Sequence, residues 1–177
     1  MEEMLDILDA KGRRLGFSRP RSEVHERGFW HRTVHIWAFD EAGRVLFQLR
    51  SYQKENNPGL LDTSCAGHIS AGQTSLEAAV RELREELSVA KKPEDLEYLF
   101  EAGHTSVLNG GTYHDNEFYD TYKITLTGEE VAGLRPQPGE VESFVWFTPH
   151  EFLDEFLARP EKFVSHPKDY DWLHSLV

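Results

Sequence analysis

The stretch from Gly67 to Val89 constrains this chain more than any other. A loop with glycines at 67 and 72 runs into Thr74-Ser75-Leu76-Glu77, the pattern of a capping box. There a threonine hydroxyl and a glutamate three residues on satisfy free amides at a helix start. Leu76, Ala79, Val80, Leu83 and Leu87 then recur at helical spacing and make one narrow apolar stripe, which must pack on a sheet. Beside that stripe, Glu82, Glu85 and Glu86 fall within an arc of about 100°. Three carboxylates so placed repel one another at neutral pH. Two arrangements offset this: a solvated face bridged by Arg81 and Arg84, or a divalent cation held by the carboxylates.

The rest of the chain supplies the sheet. Leu5 to Leu8 and Leu15 to Phe17 flank a turn at Asp9-Ala10-Lys11-Gly12 and read as strand, turn, strand. Residues 20–29 are polar and suit a short helix. Thr33 to Phe39 alternates, with Val34, Ile36 and Ala38 on one face, and Arg44 to Arg50 returns after the turn at 40–43. Residues 51–62 read as a loop around Asn56-Asn57-Pro58-Gly59. Leu96 to Val107, Glu117 to Leu126 and Phe144 to Phe147 are further strands, a helix covers 150–158, and a short one lies near Trp172. Strands in two runs with helices between and after them predict an α+β layered fold.

Charge and cysteine content narrow the function. The 177 residues fit one domain, 1–177, with a helical tail from about 150 to 177. A net charge of −12 repels the phosphates of a long nucleic acid, so no extended nucleic acid is expected as a partner. A small phosphorylated ligand stays compatible, because a metal and a few basic residues can reverse the local sign. No apolar run approaches the roughly 20 residues that cross a bilayer, and Met1-Glu2-Glu3-Met4 lacks the features of a signal peptide. Cys65 is the one cysteine, so no internal disulfide forms. The expectation is a cytoplasmic protein with no membrane partner.

The segment 67–89 resembles the Nudix box, G-x5-E-x7-R-E-U-x-E-E-x-G-U with U a bulky aliphatic residue. Gly67, Arg81, Glu82, Leu83, Glu85, Glu86 and Val89 match in register. Gln73 stands in place of the first glutamate, and Ser88 in place of the glycine that ends the helix. The resemblance implies an α/β/α sandwich with a central mixed sheet. It also implies hydrolysis of a diphosphate linkage with Mg²⁺ or Mn²⁺ as cofactor. In that reading Glu82, Glu85 and Glu86 are metal ligands and catalytic, Arg81 orients them, Gly67 belongs to the substrate loop, and Glu117, ahead of Glu140, is a further ligand or the general base. Dimers are common in the family, so a homodimer is compatible, although no segment demands one.

A narrower resemblance points to Nudix proteins near isopentenyl-diphosphate isomerase. It rests on Trp30-His31-Arg32, Gln48-Leu49-Arg50-Ser51, Lys54, Pro58-Gly59 and Ala66-Gly67-His68. It implies metal ligation by His31, His68, Asp115 and Glu117, and a diphosphate grip by Arg50 and Lys54. His25 is one residue off the spacing of the remaining histidine ligand, and with His35 and His104 it reads as structural. Ala66 stands where the isomerase has its catalytic cysteine, and Cys65, one residue earlier, would face the opposite side of a strand. Glu82 and Glu85 stand where the isomerase has a basic and an aromatic residue. The expected function is therefore a pyrophosphohydrolase acting on a nucleoside diphosphate derivative or a related small diphosphate. The alternatives are an isomerase-like enzyme and, given Gln73, a non-catalytic diphosphate-binding module.

Overall fold

The computed structural model describes all 177 residues. It begins with a hairpin of β1 (Met4–Leu8) and β2 (Arg14–Pro20), followed by α1 (Arg21–Arg27). The main sheet contains β3 (His31–Asp40), β4 (Val45–Arg50), β5 (Leu61–Asp62), β6 (Cys65–His68), β7 (Glu97–Leu108), β8 (Tyr113–Leu126) and β9 (Val141–Phe147). Its order is β5-β4-β3-β8-β7, with β6 on β3 and β9 on β4. β3 and β8 run parallel and the other pairs are antiparallel, so the sheet is mixed as expected. β3 and β4 share the registered pair Phe39 and Val45 and then part. The edge of β3 from Thr33 to Ile36 is taken by β6.

Alternation along β3 sorts its side chains into two layers. Val34, Ile36 and Ala38 face α2 (Ser75–Leu87), packing with Ala79, Leu83 and Leu87. Trp37 and Phe39 face the other way, onto Phe152 of α4 (Pro149–Ala158) and Tyr170 and Leu173 of α5 (Pro167–His174). A small α3 (Gly128–Gly133) follows β8. This is the α/β/α sandwich. The Thr74 capping box is formed, and Ser88 takes the left-handed conformation (φ 60°) that glycine adopts without penalty.

The differences from the sequence reading are local. β5 lies within residues 51–62, which read as a loop, because a strand of two residues gives no periodicity to detect. β8 begins at Tyr113 rather than Glu117, paired with β7 back to Leu108. Cys65 and Ala66 do occupy opposite faces: Cys65 is buried in the layer against α2, while Ala66 pairs with His35.

Candidate active site

The box brings α2 against β6, and the contact centres on Gly67. A Cβ at this position would lie 2.1 Å from Cδ of Glu82, so only glycine leaves room for that carboxyl group. Arg81 reaches back over the loop. Its guanidinium donates to Oε1 of Glu82 (2.6 Å), Oε2 of Glu85 (3.3 Å) and the carbonyl oxygen of His68 (2.9 Å). Gln73 also serves the loop, its side-chain oxygen accepting from the Ser70 amide at 3.3 Å. Glu86 accepts from the Ala66 amide and from Nε2 of Gln48, both at 3.2 Å.

The three helix carboxylates differ in environment. Glu82 and Glu86 are each 8% exposed, whereas Glu85 lies at the surface. Burial raises Glu82 to about 8, reinforced by the neighbouring Glu86 charge and opposed by Arg81. Burial raises Glu86 to about 7, opposed by its bond from Ala66. The solvated-face arrangement therefore describes Glu85 but not its two neighbours.

On the other side of β6, strand register assembles a second cluster. The parallel pairing of β3 with β8 sets His31 beside Glu117, and the pairing of β3 with β6 sets His68 opposite Thr33. α1 then inserts His25, whose Nε2 lies 3.1 Å from Nε2 of His68. The ligand atoms of His25, His31 and His68 lie within 4.8 Å of one another, as do those of His31, Asp115 and Glu117. His25 is thus the residue that spacing assigned to structure and that the fold delivers to the cluster.

These groups suit a cation. Nδ1 of His31 donates to the Phe29 carbonyl (3.1 Å), which leaves Nε2 as a lone pair. That atom and Oδ1 of Asp115 are both buried without a hydrogen-bond partner, 3.6 Å apart. Burial lowers His25 to about 4 and His31 to about 3 and pushes His68 well down, so all three rings are neutral at pH 7. Burial raises both Asp115 and Glu117, and the Asp115 charge raises Glu117 further. Neutral imidazoles and carboxylates with unpaired lone pairs form a donor set that fits a divalent metal.

The remaining predicted residues are partly committed elsewhere. Arg50 donates through Nη1 to Asp62 (2.9 Å) and through Nη2 to the carbonyl oxygen of Asn56 (2.9 Å), and its Nε is shared between Asn56 and Asn57. Lys54 pairs with Glu140, which is more exposed than Glu117. Trp30 rests on Phe118, with ring centroids 4.8 Å apart. Sequence reasoning missed a third buried group, supplied by the tail. Asp169 accepts from Nε1 of Trp37 (2.8 Å) and lies 3.4 Å from Nδ1 of His35, and His166 donates to Asp62 (2.7 Å). No signal in the sequence ties these distant positions together.

The chain belongs to the Nudix family: the model of the NUDIX domain matches residues 29–167. It is 41% identical to Nudix hydrolase 3 of Arabidopsis thaliana over 90% of its own length, but spans 21% of that longer protein. It is 32% identical to the isopentenyl-diphosphate Delta-isomerase of Serratia proteamaculans, covering 92% of this chain and 86% of that one. A Deinococcus radiodurans crystal structure shares the fold, with a TM-score of 0.69 at 21% identity over 98% of both chains. No helix is long and apolar enough to cross a membrane.

Proposed function

We propose that this chain is a Mg²⁺- or Mn²⁺-dependent pyrophosphohydrolase that cleaves a phosphoanhydride bond of a nucleoside diphosphate derivative or a related small diphosphate. The observation that carries the reading is the burial of Glu82 and Glu86 together on α2 against Gly67, where their ionisation is unfavourable without a cation. A divalent ion held by Glu82, Glu85 and Glu86 would neutralise phosphate oxygens and make water more acidic. Arg81 fixes the carboxyl of Glu82 and the loop carbonyl of His68 in one contact set, so helix and loop present a single surface. Gly67 keeps that surface free of side chain. Glu117, whose carboxyl is raised by burial and by the neighbouring Asp115 charge, would act with His68 as a further ligand or, once ionised, take a proton from water. Arg50 and Lys54 meet the diphosphate. The whole of residues 1–177 acts as one domain, in the cytoplasm, on a small ligand.

The test is release of phosphate and nucleotide from a panel of nucleoside diphosphate derivatives and small diphosphates, with Mg²⁺, with Mn²⁺ and with EDTA. Metal-dependent cleavage that Glu86→Gln abolishes is the expected result. No cleavage of any member, or cleavage at the parent rate by Glu86→Gln, would overturn the reading. A second reading, an isomerase-like enzyme, is favoured by the cluster of His25, His31, His68, Asp115 and Glu117. Ala66 opposes it, because Cys65 is wholly buried on the far face and no thiol meets the cluster. Conversion of isopentenyl diphosphate would establish it.

A further inference from the structure

One carboxylate, Asp62, links the tail to Arg50. Asp62, 4% exposed, accepts on Oδ1 from Nε2 of His166 (2.7 Å) and the Thr63 amide (2.7 Å), and on Oδ2 from Nη1 of Arg50 (2.9 Å). Although burial opposes it, His166 and Arg50, with the nearby His35, hold its carboxyl far below the usual carboxylate range. The position of His166 is itself fixed. It directly precedes α5, whose Tyr170 and Leu173 are buried against Phe152 and Phe163, and the Val164 amide donates to the Leu61 carbonyl (2.8 Å). Arg50 in turn holds the loop carbonyls of Asn56 and Asn57. Of its five N–H groups, one on each terminal nitrogen stays uncommitted.

We infer that His166 is a positioning residue for substrate: through Asp62 it fixes the guanidinium of Arg50 so that its two free N–H groups meet a diphosphate. The inference rests on the reading of Arg50 as a diphosphate-binding residue. It makes the C-terminal segment part of the binding site, although no tail residue touches the ligand. A glutamine places a donor where Nε2 of histidine lies, so His166→Gln keeps the bond to Asp62. His166→Leu keeps much of the volume and loses the bond. Asp62→Asn removes the charge that orients Arg50 while the tail's own residues are unchanged.

The experiment is calorimetric binding of inorganic pyrophosphate, in the presence of Mg²⁺, to the full chain and its variants, with folding checked by circular dichroism. Arg50→Ala should weaken binding about tenfold or more, His166→Leu and Asp62→Asn about fivefold, and His166→Gln less than about twofold. The deciding measurement is a double-mutant cycle. If His166 acts through Arg50, Arg50→Ala combined with His166→Leu binds as Arg50→Ala alone. Losses that multiply in the double variant, or equal losses in His166→Gln and His166→Leu, would overturn the inference. So would unchanged binding by a folded His166→Leu when Arg50→Ala weakens it, and that result would leave the role of Arg50 intact. Unchanged binding by Arg50→Ala, or no binding by the parent chain, would instead refute the reading on which the inference rests.

Discussion

Glu86→Gln should make the metal-free protein more stable while ending its turnover. In the fold Glu86 ionises at about 7 against 4.5 for an ordinary glutamate, because burial disfavours the charge. At pH 7 the unfolded chain carries that carboxylate fully ionised and the folded chain carries it half-protonated. Linkage converts the difference into a penalty of at most about 3 kcal/mol at pH 7, falling to about 1 kcal/mol at pH 5. Glutamine bears no such penalty. Its carbonyl oxygen can still accept from the Ala66 amide and from Gln48, the two bonds that Oε2 of Glu86 makes. The variant should therefore gain about 1–3 kcal/mol at pH 7 in EDTA, at about 2–4 °C in Tm per kcal/mol for a chain of this size. Urea unfolding of both proteins at pH 5, 6, 7 and 8 reads the gap directly. The gap reads Glu86 together with the relief of Glu82, whose carboxyl loses a neighbouring negative charge in the variant. A variant no more stable than the parent at pH 7, or a gap that widens as pH falls, would refute the assignment of a buried, raised carboxyl.

In EDTA the parent's stability should change little near pH 5, where protonation of His25, His31 and His68 on unfolding largely offsets proton release by Glu82, Glu86, Glu117 and Asp115. From about pH 6 to 8 the carboxyl contribution outweighs that of the histidines, so stability should fall as the pH rises, and Mg²⁺ or Mn²⁺ should restore it; a rise over that range in EDTA would contradict the burial. Gly67→Ala should lower turnover at least about tenfold, since its Cβ would displace the Glu82 carboxyl, with the circular dichroism spectrum retained. Ser88→Gly relieves a left-handed residue and should add about 1 kcal/mol, seen as a Tm higher by about 2–4 °C. Gln73→Glu should leave turnover equal or higher, because a carboxylate oxygen can accept from Ser70 and pair with Arg81 in place of the amide oxygen; a large loss would assign Gln73 a specialised role.

What the sequence discloses follows from the distance over which each interaction acts. The capping box, the apolar stripe of α2 and the alternation of β3 are local patterns, and the structure forms all three. The carboxylates of α2 belong to the same class, since a helix fixes Glu82, Glu85 and Glu86 relative to one another whatever surrounds them. Their difference in burial is not local. It arises from where β6 lands against the helix, and Gly67, legible as a motif glycine, gains its physical reason only when Glu82 is seen to fill the space of its missing side chain.

The rest of the site is written in sheet register. His31 meets Glu117 because β3 and β8 run parallel in that register, and a shift by one residue would turn the ligand atoms to opposite faces. His25 joins them from a helix outside the sheet. Asp62 and His166 are further still from any pattern, and each alone is an ordinary polar residue near the end of an element. Together they change the meaning of Arg50. From the sequence it is a basic residue available to a phosphate, whereas in the fold the same guanidinium anchors Asp62 and the loop carbonyls of Asn56 and Asn57. A lysine at position 50 would supply the charge but not the fork, so Arg50→Lys should loosen loop and ligand together. A substitution conservative in charge is not conservative where one planar group has to hold the wall of the site and its contents at once.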